Sequence, residues 1–124
     1  MPFDYTRDDA RRRIRLRAID PIIVSEVLAV LARQVAEQAW HYGMLVDARL
    51  ATLRIADNPT YLARVQELET EHGPHGPVAV VTTKPANIAA AKAYAIQSAP
   101  TSSMEVDVFW DLDDAERWLD GYQK

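Results

Sequence analysis

The run Val78-Ala79-Val80-Val81-Thr82 constrains this chain more than any other segment. Four consecutive apolar residues, three of them β-branched, leave neither parity for water, so the run suits a strand inside a sheet that is covered on both faces. Something must do the covering. Tyr42 to Ala48, with Met44, Leu45 and Val46 at its centre, lacks alternation in the same way and reads as a second strand of this kind. Arg11 to Ala18 is different, because Arg11, Arg13, Arg15 and Arg17 fall on one parity while Ile14, Leu16 and Ala18 fall on the other. That is the period of a half-buried strand with Ile14 and Leu16 facing the core. Phe3 to Thr6 is a candidate partner strand, with Arg7 to Ala10 as the turn.

Helical spacing fills the gaps between these strands. Val24, Val27, Leu28, Leu31 and Val35 recur on one side of a helix that runs to about Ala39, capped either by Asp20 with Pro21 as its first residue or by Ser25. Asn58-Pro59 opens a second helix with Leu62, Val65 and Leu68 as its buried stripe, and Gly73 is placed to end it in a left-handed conformation. Pro85 opens an alanine-rich third helix to about Gln97, with Ala89, Ala90, Ala91, Ala93 and Ala95 allowing close backbone approach and Ile88 and Ile96 as anchors. Val106 to Trp110 is the last strand. Asp111 then caps a final helix whose packing residues are Leu112, Ala115, Trp118, Leu119 and Tyr122. Strands alternating with helices imply a mostly parallel sheet, antiparallel only at the initial hairpin.

With 124 residues and no low-complexity linker, the chain reads as one domain over residues 1–124. It has no cysteine, which excludes a disulfide scaffold, a thiol nucleophile and thiolate zinc sites. The acidic N-terminus is unlike a signal peptide, and no apolar run approaches a membrane span, so the expectation is a soluble cytoplasmic protein without integral membrane association.

Three segments carry a family likeness. Trp40-His41-Tyr42-Gly43-Met44-Leu45-Val46-Asp47-Ala48-Arg49, Gly73-Pro74-His75-Gly76-Pro77-Val78-Ala79-Val80-Val81, and Val108-Phe109-Trp110-Asp111-Leu112-Asp113-Asp114-Ala115-Glu116-Arg117-Trp118-Leu119, in this order, resemble small bacterial proteins of the SpoIIAA-like, or STAS-like, group. The resemblance implies an α/β fold with a mixed, mostly parallel sheet of four to five strands and about four helices, mainly on one face. It also implies a binding or regulatory module without enzymatic activity. In the anti-sigma-factor antagonists of the wider family a phosphorylatable serine follows an aspartate, whereas this chain reads Asp47-Ala48-Arg49-Leu50-Ala51-Thr52. The phosphoacceptor serine is missing, so the phosphoswitch is not carried over. Thr52 is a substitute acceptor or, more plainly, a turn residue.

Ligands of open α/β sheets collect at the carboxyl ends of parallel strands, which selects Asp47, Arg49, Thr82, Thr83 and Lys84, and beyond them Asp111. This rim could hold a small apolar or anionic molecule. Asp47 with a threonine hydroxyl and the Lys84 ammonium also suits an aspartyl-phosphate switch, although the acidic pair that would hold Mg²⁺ is missing, with Asp20 alone beside Pro21. The plainer account pairs Asp47 with Arg49 and makes Thr83 and Lys84 the lead into a helix.

His72 and His75 lack a visible third ligand, and the Gly-Pro connection around them places both in solvent, so no metal is expected. His41 reads as packed or capping. No serine sits in a nucleophile elbow and no glycine-rich loop can wrap a phosphate, so neither catalysis nor a cofactor is expected. Charge is unevenly placed. Residues 1–20 hold six arginines against four acids, while residues 105–124 hold seven acids against Arg117 and Lys124. The row Arg11, Arg13, Arg15, Arg17 is therefore a candidate self-association surface for the acidic C-terminal helix of a second copy, with a homodimer or a regulatory protein as partner. A plain solvated strand face is the alternative. The net charge of −4, with no aromatics among the arginines, speaks against nucleic acid. The aromatic residues read as mostly buried, a few of them lining an apolar cleft between the last two helices and the sheet.

Overall fold

The computed structural model describes residues 3–19, 22–53, 59–98 and 104–122. Strands β1 (Phe3–Asp8) and β2 (Arg13–Ala18) form an antiparallel hairpin, closed by a turn in which the Asp8 carboxylate accepts from the Arg11 amide and Arg12 takes a positive φ of 51°. Three strand-helix units complete the chain. They are α1 (Val24–Ala36) into β3 (Gly43–Asp47), α2 (Pro59–His72) into β4 (Val78–Val81), and α3 (Pro85–Ser98) into β5 (Val106–Phe109), followed by α4 (Leu112–Asp120). The sheet order is β1-β2-β3-β4-β5, with every pair after the first parallel.

Strand pleating divides the sheet residues between two unequal cores. Ile14, Leu16, Met44, Val78 and Val80 face one way and pack with Val30 and Leu31 of α1, Val65 and Leu68 of α2, and Ala91 and Tyr94 of α3. Leu45, Ala79 and Val81 face the other way and form a second, smaller cluster with Ala115 and Leu119 of α4, flanked by Phe109, Leu112 and Trp118. Both interior strands are thus covered twice, as their apolar runs require. Arg33 of α1 lies over the Tyr5 ring at 3.7 Å, and Tyr5 donates to Glu37, which fastens β1 to the end of α1. Burial and the Glu37 carboxylate push the Tyr5 phenol up to about 12.

Local structure departs from expectation in instructive places. Helix α1 stops at Ala36, because Gln38 turns left-handed at φ 58° and the Ala39 amide bonds back to the Gln34 carbonyl. Ile23, not Ser25, occupies its N-cap position, without a side-chain cap bond; the alternative at Asp20 and Pro21 lies outside the described residues, as does Asn58 before α2. Ile96 is no anchor, since it is 76% exposed on the outer side of α3. Trp110 and Tyr122 are exposed as well, so these two aromatics pack less than the helical pattern suggests. Asp111 does cap α4, accepting from the Asp114 amide at 2.8 Å, and Gly73 ends α2 at φ 88°.

The connection from Gly73 to Pro77 is pinned against residues 40–42. Trp40 Nε1 donates to the Gly73 carbonyl at 2.8 Å, and the His41 ring contacts the Pro74 carbonyl at 2.8 Å. A Cβ on Gly76 would come within 2.6 Å of the His41 carbonyl oxygen and closer still to the Tyr42 carbonyl, and backbone cannot move aside as a side chain can. Gly76→Ala is expected to destabilise by roughly 3 kcal/mol or more. Gly73→Ala, strained in backbone conformation but with space for its methyl, should lose only about 1 to 2 kcal/mol when both variants are compared with wild type by urea titration.

Candidate functional site

The arginine row lies on the α4 side of the sheet, and α4 is what it meets. Arg13 is fully buried; its Nη1 donates to Glu116 at 2.5 Å and its Nη2 to Asp120 at 2.8 Å. Arg15 bridges Asp8 and Glu116, each at 2.9 Å, and Arg11 lies 3.6 Å from Asp120. Helix spacing explains the fit. Ala115 and Leu119 form the buried stripe of α4, and the next residue after each, Glu116 and Asp120, carries a carboxylate along the adjoining edge toward β2. The expectation of an open row waiting for a second copy's acidic helix is corrected at Arg13 and Arg15, because the helix that neutralises them belongs to the same chain. Arg11 remains about half exposed, and Arg17 is the register partner of Asp47 on β3, whose carboxyl pKa its charge helps to lower. Hydrogen bonds from Arg15 and Arg13 hold the Asp8 and Asp120 carboxyls below their ordinary range.

The rim residues do come together, but they hold one another. Arg49 grips Asp47 with two side-chain bonds, at 2.9 and 2.8 Å, and with its own amide at 3.2 Å, and these contacts lower the Asp47 pKa. Around them is a hollow lined by Arg17, Ala18, Asp47, Arg49 and Leu50. Thr82 is buried, its hydroxyl accepting from the Lys84 amide and from Asn87 Nδ2. The Lys84 ammonium donates to the Ala51 carbonyl at 3.1 Å, while Thr83 stands exposed. Asn87, which sequence reasoning passed over, joins the parts: it donates to the Ala48 and Ala51 carbonyls and accepts from the Leu53 amide. A buried asparagine on an alanine-rich helix was the available signal. The trio chosen for a phosphoryl group is occupied in fixing the exit from β3.

Beneath the strands, on the opposite side of the sheet from α4, lies an apolar cavity of about 80 Å³. Leu16, Met44 and Val80 form its floor, and Val30, Tyr61, Ala91 and Tyr94 close it from α1, α2 and α3. The expected cleft between the last two helices and the sheet is corrected accordingly, since α4 packs on the other face.

His75 forms part of the cavity wall. The expectation that it is solvated is wrong: it is 4% exposed, stacks edge-on against Trp40 at 4.7 Å, and contacts the Gln34 amide oxygen through Nε2 at 2.9 Å. Because Gln34 donates its amide to the Ala39 carbonyl, its oxygen faces Nε2, while Nδ1 lies 2.6 Å from the Gly76 carbonyl, so a neutral ring donates to one of these two acceptors. The polar Gln34 within the apolar stripe of α1 was the sequence signal for a buried partner. Burial lowers the His75 pKa to about 4, outweighing the Gly76 carbonyl and Glu69, which favour the proton; His41 opposes it.

The pH consequence has a definite sign. The unfolded chain takes up this proton near 6.5 and the folded one only near 4, so the stability due to neutral His75 is complete above pH 6.5 and is lost as pH falls toward 4. Between pH 7 and pH 5 the unfolding free energy should fall by about 2 kcal/mol from this group. In His75→Gln, urea titrations over the same range should lack that limb.

Among the described residues no helix is long and apolar enough to cross a membrane, and no three His, Asp or Glu side chains are grouped to hold a metal ion. No family model matches the sequence, and no curated protein matches it either. Solved structures similar to the chain include an uncharacterized protein of the DUF3478 family, with a SpoIIAA-like fold, from Shewanella loihica PV-4. It is 17% identical, the match covers 94% of this chain and 91% of that one, and the TM-score is 0.57. The five-stranded mixed sheet, mostly parallel, with its four helices, is a SpoIIAA-like fold.

Proposed function

We propose that this STAS-type domain works without catalysis, as a binding module that takes a small apolar molecule into the cavity between the sheet and α1–α3. The cavity itself is the observation that carries the reading. An unfilled apolar space of about 80 Å³ costs about 2 kcal/mol in lost contacts. Two small residues of α3, Ala90 and Ala91, border it, where larger side chains would fill the space. A bound apolar molecule restores those contacts.

The rim supports an aspartyl-phosphate switch less well. Both Asp47 oxygens are engaged by Arg49, and the Thr82 hydroxyl and Lys84 ammonium are turned to Asn87 and Ala51. Self-association through the arginine row has likewise lost its strongest members to α4. Ile19, Ile23 and Leu50 are exposed near the ends of β2 and β3, and this reading places contact with a regulatory protein there.

Cyclopentane is a suitable probe. At a hundredfold excess over its Kd it should stabilise the protein by about 2.7 kcal/mol, read as a rise in Tm. Ala91→Leu, which fills the space, should abolish that rise while leaving the fold intact by circular dichroism. An equal rise in the wild type and Ala91→Leu would place binding elsewhere and defeat the proposal.

A further inference from the structure

We propose that the Tyr94 hydroxyl is a hydrogen-bond donor held ready for the cavity's ligand, which makes that ligand an apolar molecule with one acceptor oxygen, such as a small ketone or ester. This rests on the reading of the cavity as a ligand site and narrows it. Tyr94 is 4% exposed on α3, and it lines the cavity together with Tyr61 of α2, their rings 5.4 Å apart and tilted by 49°. Its hydroxyl donates to the Met104 sulfur at 3.8 Å. A thioether is a weak acceptor, and a buried phenol ordinarily finds a better one. The two phenol hydroxyls are also hydrogen-bonded to each other. Such a link polarises the Tyr94 O–H and strengthens it as a donor.

The remaining wall selects the chemistry further. Apart from the tyrosines and His75 the lining is hydrocarbon and thioether, and the His75 nitrogens already face Gln34 and the Gly76 carbonyl. No lysine or arginine is among the lining residues, so a carboxylate would enter without a counter-charge, at a prohibitive cost. A carbonyl oxygen asks only for one donor, and it can take the Tyr94 proton from sulfur while the rest of the molecule fills apolar space. Tyr94 is then a specificity-determining residue.

The test compares cyclopentanone with methylenecyclopentane, its hydrocarbon isostere, on wild-type protein and Tyr94→Phe, using methyl shifts of the lining residues to obtain each Kd. Losing one neutral hydrogen bond should weaken the ketone roughly fivefold in Tyr94→Phe and leave the isostere unchanged. On the wild type alone, the carbonyl stretch of bound cyclopentanone should lie below its frequency in cyclohexane. If both ligands bind but the substitution affects them alike, or the carbonyl band is unshifted, Tyr94 is not the donor, and the cavity reading survives. If neither ligand binds wild-type protein, both readings fall together.

Discussion

Arg13 places a guanidinium where no water reaches it. Removing such a charge from solvent costs several kcal/mol unless counter-charges and hydrogen bonds accompany it. Glu116 and Asp120 supply both, and they can do so only with α4 docked in its observed register. This requirement fixes much of the molecule. It determines which face of the sheet α4 covers, and it brings the acidic C-terminal segment back onto the basic N-terminal hairpin, so the charge asymmetry of the sequence is largely neutralised within one chain. The small cluster of Leu45, Ala79, Val81, Ala115 and Leu119 then packs beneath the ion pairs.

With α4 committed to one face, the other face is left to three helices, and there the packing is incomplete. The ion pairs on the α4 side are directional, although the buried Arg13 Nε has no partner there, and the Asn87 network at the strand ends is directional as well. The incompletely packed part of the described structure is apolar space with a thioether-bonded phenol in its wall. The proposed function rests on that contrast, with Asp47, Thr82 and Lys84 at the rim each engaged with neighbours.

Periodicity made the architecture legible. The uniform run at Val78–Val81, the helical stripe through Val65 and Leu68, the aspartate cap at Asp111 and the left-handed Gly73 are local signals, and the structure uses each as read. The rest required knowledge of what covers what. Alternation placed Arg13 on the face opposite Ile14, but it could not say that a helix nearly a hundred residues later would bury it. Ile96 shows the converse, an apolar residue at a plausible position with nothing opposite. His75 sits in a Gly-Pro segment that looks solvated, and its burial comes from Trp40 and Gln34, distant in sequence. The alanines of α3 suggested close backbone approach, yet Ala90 and Ala91 border empty space, because small residues permit either outcome and only tertiary packing chooses.

The most direct test of the account locates an apolar atom inside the wild-type protein. Xenon dissolved under pressure should shift the methyl resonances of Leu16, Val30, Val80 and Ala91 in a saturable way and leave Leu50 at the strand-end hollow unchanged. Saturable shifts confined to Leu50 and its neighbours, or none at any lining methyl, would contradict the claim that this fold keeps a vacancy for a ligand beneath its sheet.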